Sequence, residues 1–384
     1  MLMRSIRPAR PALGAALLLF LLTLGACAGE DGGPSAASGN YSVVSLTSEL
    51  THPWALTVLP DGGMLISERP GRLRIFRDGA LLADPVPGLP PIATTGQGGL
   101  LDLALHPGFE QNRWLYFTYA ASVGNGVTTR LARARLEDDR LHEVEVLFTA
   151  EPASRGGRHF GSRIVFDRDG YVFLSVGDRG DMPRAQRLDD HAGTIVRLHD
   201  DGRVPADNPF VGRTDARPEI YAYGVRNPQG MTLHPRTGAL WEHEHGPRGG
   251  DEINIIEAGL NYGWPVISHG IDYSGAPIGE GIREQEGMEQ PLHHWTPSIA
   301  PSGMAFYQGE AFPEWEGDLL VGALAHRHLA RLSFDAGNAV VSEVRMLEDW
   351  DSRIRDVRVH DGLIYVLTDH DPGELLRIEP AGKP

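Results

Sequence analysis

From about Tyr41 onward, apolar residues fall in short runs, many alternating with polar ones, and clusters of Gly, Pro, Asn and Asp separate them. A period near two over such lengths predicts strands, and almost no stretch holds the 3.6-residue period of an amphipathic helix. The runs also repeat. Trp54–Leu59, a turn at Asp61-Gly62 and Met64–Ser67 form one unit; Leu101–Leu105 and Trp114–Tyr119 form a second. Ile164–Phe166, Asp169-Gly170 and Tyr171–Val176 form a third, and Met231–Leu233 with Ala239–Glu242 a fourth. Met304–Tyr307 with Asp318–Val321, and Val357–Val359, Asp361-Gly362 and Leu363–Thr368, complete the set. A spacing of roughly 60 residues suits four-stranded antiparallel blades with loop insertions, so the pattern predicts an all-β, six-bladed β-propeller over 41–384. A large sandwich or jelly roll is the alternative, but sandwiches do not repeat in this way. A propeller gathers loops from every blade at one mouth of its channel, so residues remote in sequence can meet there.

The start of the chain follows a different pattern. Arg4, Arg7 and Arg10 precede an apolar run from Ala12 to Leu24, the length of a secretory h-region and too short to span a bilayer comfortably. Leu24-Gly25-Ala26-Cys27 reads as a lipoprotein cleavage box, and Cys27 is the only cysteine in the sequence. A plain signal peptide cut near Ala26 or Ala28 is the alternative. The sequence therefore predicts a signal peptide over 1–26 and a flexible tether over 27–40. It also predicts an exported protein, periplasmic or on the cell surface, held to a membrane through lipidated Cys27. The formal charge of -16 is opposite to the basic footprint that nucleic-acid binding needs, and it suits calcium.

Residues 224–265 concentrate glycine, proline, carboxylate and histidine. They contain Arg226-Asn227-Pro228-Gln229-Gly230, the run Glu242–Asn254, and Asn261-Tyr262-Gly263-Trp264-Pro265. Glycine and proline fix unusual backbone that can aim main-chain oxygens. Asp251, Glu252 and the Tyr262 region add hard oxygens, the ligands calcium takes. His243 and His245 alternate on one side of a strand-like stretch and could begin a zinc site, but no third ligand follows at a suitable spacing. In Arg155–Arg163, His159 lies among arginines and three glycines. Neighbouring cations disfavour an imidazolium, which suits a general base; a histidine bonded only structurally in its loop is the bland alternative. Gln97, between glycines in Gly96–Gly99, can present an amide to a cavity, and the loop lacks the Lys-Ser/Thr of a P-loop. Arg353 and Arg355 project to one side of an extended segment, with Asp356 on the other. Their guanidinium groups could clamp a polyanion or form surface salt bridges. Tyr273 could stack on a flat cofactor or simply close its loop.

Taken in order, these motifs resemble the soluble pyrroloquinoline quinone (PQQ)-dependent aldose sugar dehydrogenases of the glucose/sorbosone dehydrogenase family, from about Leu50 to Ile378. Arg226–Gly230, Glu242–Asn254, Asn261–Pro265 and Pro301–Tyr307 carry the likeness. The resemblance implies PQQ over the channel mouth and oxidation of an aldose to a lactone, with electrons passed on to an acceptor that the sequence does not name. It also implies His159 as the catalytic base, and Gln97, Arg226, Asn227, Tyr273, Arg353 and Arg355 as cofactor-binding residues. Gly246 and Pro247 match the pair whose backbone oxygens hold a calcium beneath the cofactor; Glu252 and Tyr262 match a second, structural calcium site. One departure is visible. Glucose-specific members carry a cofactor-contacting lysine where this chain reads Leu324-Ala325-His326-Arg327, so His326 or Arg327 would have to replace it. Position 158 is also an arginine in place of their acidic residue, which leaves sugar preference open. The rival readings are a calcium-dependent lactonase and a non-catalytic propeller that binds a glycan or a partner.

Overall fold

The computed structural model describes residues 41–382. The signal peptide, Cys27 and the tether lie outside the described residues. Among the described residues, twenty-four strands form six four-stranded antiparallel sheets. Strand β1 (Tyr41–Leu50) precedes the first blade, β2 (Pro53–Val58), β3 (Met64–Glu68), β4 (Arg72–Arg77) and β5 (Ala80–Leu81). The second blade is β6 (Leu100–Leu105), β7 (Trp114–Val123), β8 (Gly126–Glu137) and β9 (Arg140–Thr149). The third is β10 (Ile164–Phe166), β11 (Val172–Val176), β12 (Thr194–Leu198) and β13 (Ile220–Tyr223). The fourth is β14 (Pro228–Leu233), β15 (Leu240–Glu244), β16 (Asp251–Ile256) and β17 (His293–Trp295). The fifth is β18 (Pro301–Phe306), β19 (Leu319–Ala323), β20 (His328–Phe334) and β21 (Val340–Met346). The sixth is β22 (Ile354–His360), β23 (Leu363–Thr368), β24 (Gly373–Pro380) and, from the other end of the domain, β1.

All six hairpins expected from the repeat are present, and each supplies the first two strands of its blade. The turns follow from their residues. At Asp361-Gly362 both central residues have positive φ, 50° and 73°, the type I′ geometry that Asp-Gly supports and that matches strand twist. The leading strands β2, β6, β10, β14, β18 and β22 pack each against the next, and β22 returns to β2, so they ring the axis. Apolar faces of neighbouring blades meet in separate cores. Leu65, Phe117 and Leu136 fill the space between the first two blades, and Trp241, Phe306 and Leu332 the space between the fourth and fifth. Closure comes from β1, which pairs with β24 from Tyr41↔Pro380 onward. That pairing covers the edge of β24 and makes β1 the outer strand of the sixth blade.

In the fourth blade the strand expected over Ala239–Glu242 extends through His243 and Glu244 as β15, and Asp251–Asn254 lie inside β16, with Glu242–Glu244 and Asp251–Asn254 all buried. Only 245–250 forms the connecting loop. Strand pairing sets Glu244 opposite Glu252 and Glu242 opposite Asn254, so the carboxylates belong to a rigid sheet.

Candidate functional site

His159 sits in the left-handed region at φ 54° on the connection into β10. A strained non-glycine backbone persists only where its surroundings over-determine it, and here three contacts do so. The His159 N–H donates to Gln97 Oε1 at 2.8 Å. Its Nδ1 bonds Asp178 Oδ1 at 2.6 Å. Its carbonyl lies against Gly177, where a Cβ would come within 2.3 Å of that oxygen. Asp178 is itself fixed: Gly180 N–H donates to Oδ1 at 2.6 Å and Trp264 Nε1 donates to Oδ2 at 2.9 Å. With Nδ1 committed, Nε2 has no protein partner among the described residues, and the ring is 12 % exposed. The pairing assigns the proton to Nδ1 and leaves Nε2 as the acceptor. Burial lowers the His159 pKa. Asp178 opposes this, while Arg226 and then Arg158 add to it. The expected effect of neighbouring cations is therefore real, but desolvation leads.

A cavity of about 410 Å³ opens at the channel mouth; His159 and Asp178 are not among its lining residues, and it reaches the dyad through Gln97, which holds the His159 N–H, and Phe160. Gln97, Asn227, Arg353 and Arg355 line it, four of the cofactor-binding residues expected from sequence, with Trp54 and Phe160 as apolar walls. Arg353 and Arg355 both reach Asp369 Oδ2, at 3.3 and 3.0 Å. Burial alone would raise the Asp369 carboxyl, but Arg355, Arg353 and Arg69 outweigh it and hold the pKa far below the usual range. One aspartate thus aligns two guanidinium groups without neutralising both. Arg355 Nη1 also bonds Gln229 Oε1 at 3.2 Å, while its Nε is buried with no partner. A buried donor left unmet beside a cavity is costly unless a ligand acceptor meets it.

Arg226 stands on the adjoining side. Its guanidinium lies 5.3 Å from the Trp264 ring centroid, and Nη1 donates to the carbonyls of His245 and Gly246, at 2.9 and 3.0 Å. Two carbonyl oxygens of the 245–250 loop therefore converge on one cationic group. Glu244 anchors this corner by accepting the Arg226 and Asn227 N–H groups. Asp251 accepts the Gly246 N–H at 2.8 Å. Burial pushes the Glu244 pKa up to about 8, and burial followed by the Glu244 charge pushes Glu252 well above the carboxylate range. Glu242 is also raised, and its Oε1 has no partner.

The remaining expected residues are more dispersed. Tyr262 is buried, with its hydroxyl donating to the Ile255 carbonyl at 2.6 Å and accepting the Glu257 N–H at 2.8 Å, so its side chain does not face Glu252. Tyr273 is 66 % exposed on the long loop before β17, which the Arg248 N–H ties to the Ile271 carbonyl at 3.1 Å. Pro247 is buried in the 245–250 loop. His243 packs inside the blade against Gly230, and His245 Nε2 bonds the Pro301 carbonyl at 2.6 Å. Neither substitute for the family lysine lines the cavity. His326 is exposed, and Arg327 turns to Asp351 at 2.9 Å. Arg69 supplies the additional cation there, held by the Gly96 carbonyl at 2.8 Å.

Sequence reading missed three residues. Asp178 carried a signal, a carboxylate in the Gly177-Asp178-Arg179-Gly180 turn just after β11. Gln229 lay inside a recognised motif, and it joins Arg355 to the Gly161 carbonyl, 3.2 Å from its Nε2. Arg69 carried no signal, because only the folding of β3 against β6 brings it to the mouth.

A profile of the Glucose / Sorbosone dehydrogenase family matches residues 50–377. The chain is 46 % identical over 351 residues to aldose sugar dehydrogenase YliI of Escherichia coli K12, covering 90 % of this chain and 94 % of that one. The apo-form crystal structure of the soluble aldose sugar dehydrogenase from Escherichia coli superposes with TM-score 0.85 at 45 % identity, over 88 % of this chain and 99 % of that one. The PQQ-bound form of aldose sugar dehydrogenase from Streptomyces coelicolor gives TM-score 0.73 at 25 % identity, over 90 % and 99 %.

Proposed function

The chain belongs to the Glucose / Sorbosone dehydrogenase family, and from that premise we propose that it oxidises aldose sugars at the anomeric carbon to lactones, using PQQ and calcium. The observation that carries the reading is the juxtaposition of a carboxylate-held imidazole, His159–Asp178, with a cavity lined by paired arginines. The residues suit both groups. The unmet Arg355 Nε and the Arg353–Arg355 pair fit a planar polyanion; the Gly246 and Pro247 carbonyls would be the oxygens to hold a hard cation, which would have to displace Arg226 from Gly246. Glu252, expected with Tyr262 at a second cation, is buried near the Glu242 oxygen that lacks a partner, while the Tyr262 hydroxyl is taken up by Ile255 and Glu257. When bound, PQQ supplies a quinone that accepts hydride and calcium a Lewis acid that polarises it.

The chain's own part is derived from its geometry. Arg353, Arg355 and Arg69 would hold the carboxylates of the cofactor, with Asn227 and Gln97 as amide donors. His159 Nε2 accepts the anomeric hydroxyl proton, and Asp178 stabilises the imidazolium that forms. Arg226, stacked on Trp264, keeps positive charge at the rim where negative charge develops. The lowered His159 pKa keeps the base neutral near neutrality. A lactonase would have no use for the arginine pair, and a binding module none for a buried His–Asp dyad. The deciding experiment strips the purified protein with chelator, adds PQQ with calcium, and follows reduction of a redox dye by a panel of aldoses. Activity that appears only with both additions is expected; none under any combination would reject the reading, as would lactone cleavage without PQQ.

A further inference from the structure

A second cavity, of about 500 Å³, opens between residues 152–158 and 179–190 and reaches the neighbourhood of His159 through Arg158. Its lining carries five arginines against two aspartates, in a chain whose formal charge is -16. Several of these cations are already engaged. Arg184 makes a two-pronged pair with Asp190 at 2.7 and 2.9 Å, and Arg187 pairs with Asp189. Arg179 lies buried over the Phe160 ring and donates to the carbonyls of Arg158 and Gly156; burial, with the Arg184 charge, lowers its pKa to about 10. Arg155 and Arg158 are left over. Both are exposed, and neither has an ion pair among the described residues. Asp181 is the remaining carboxylate of the lining, and it is exposed.

The position of this surplus ties it to the dyad. Arg158 directly precedes His159, and its side chain packs on Gly180, where a Cβ would come within 2.7 Å of Arg158 Cδ. The Gly180 N–H binds the same Asp178 oxygen that holds the His159 ring. A sugar whose anomeric hydroxyl meets His159 therefore has the arginine cavity on one flank.

We propose that Arg155 and Arg158 form a subsite for an anionic substituent of the substrate, so that the enzyme prefers aldoses bearing a carboxylate or a phosphate away from the anomeric carbon. This rests on the aldose-oxidising reading and deepens it. Guanidinium groups suit either anion, since both present paired oxygens to the planar fork. The test has two independent readouts. Calorimetry on the purified protein, titrated with glucuronate, glucose 6-phosphate and glucose, reads the subsite without turnover. The ratio of kcat/KM for each anionic sugar to that for glucose, on the protein loaded with PQQ and calcium, reads its use. Glucuronate or the phosphate ester is expected to bind at least about tenfold more tightly than glucose at low salt. Arg155→Ala with Arg158→Ala, or 0.5 M salt, which shortens the screening length to a few ångströms, is expected to erase the difference; Arg→Lys at both positions should keep part of it. Whichever anion shows the larger preference identifies the substituent. Equal binding of charged and neutral sugars, or a preference that survives the double variant, overturns the subsite even if glucose is oxidised well. Failure to oxidise any aldose would instead strike the functional reading, and the calorimetry would still decide the subsite.

Discussion

Two clusters of buried charge lie along the propeller axis, and they are built on opposite plans. At the waist of the channel Arg163 and Arg358 face Asp102 and Asp356 in a closed square. Arg163 meets both aspartates at 3.0 Å, and Arg358 meets them at 3.1 and 3.3 Å. The square joins the second, third and sixth blades, and the Leu56 N–H brings in the first through Asp356 at 3.1 Å. Every charge there faces an opposite one, with the Arg163 Nη2–Asp356 Oδ1 pair a charge contact outside hydrogen-bond geometry. At the mouth the balance fails. Arg355 keeps an unmet donor and His159 leaves one nitrogen free, and behind the mouth, in the second and third strands of the fourth blade, Glu242, Glu244 and Glu252 lie buried near one another. Burying charge is tolerable when it is paired and costly when it is not. The contrast separates scaffold from site: self-satisfied charges hold the blades in register, and unsatisfied ones mark where other groups are to bind.

Substitutions on the two sides should therefore fail differently. His159→Ala is expected to lower aldose oxidation by roughly 10²- to 10⁴-fold, while PQQ binding, followed by absorbance titration, and the melting temperature stay nearly unchanged. Retained turnover would remove the base assignment. Arg163→Met should do the reverse. It leaves two buried aspartates short of a partner, a loss of about 3–5 kcal/mol of stability, read by chemical denaturation; an unaltered midpoint would show that the square is not structural.

A third comparison uses metal. Calcium at a hundredfold excess over its Kd should stabilise the protein by about 2.7 kcal/mol relative to chelator, and Glu252→Gln should abolish much of that gain. The pH dependence has a definite sign. The Glu244 carboxyl is raised from 4.5 to about 8 in the fold, so without metal the folded state binds the extra proton, and stability falls as pH rises between those values. Calcium should flatten that fall. A slope identical with and without calcium would separate the glutamates from any metal. The smallest effect is expected from Asp178→Asn, a loss of roughly tenfold in kcat. Because Asp178 favours the imidazolium, its removal should also move the acid limb of kcat/KM to lower pH. An unmoved limb would reduce Asp178 to a structural role.

Much of this was visible in the chain before it was folded. Alternation of apolar residues and the Asp-Gly turns determined strands, hairpins and the number of blades, because strand period and turn geometry are local properties. Motif chemistry singled out His159, the residues around Arg226 and the Arg353–Arg355 pair as candidates, because residue types at short spacing constrain what a segment can bind. Tertiary structure alone decided the rest. It put β1 into the last blade, gave His159 its Asp178 partner, brought Arg69 to the mouth where Arg327 had been a candidate, and turned the Tyr262 hydroxyl inward. It also made burial, ahead of neighbouring cations, the main influence on the His159 proton. Each of these depends on which surfaces lose water together, and that follows from the closure of a ring whose contacts join residues hundreds of positions apart.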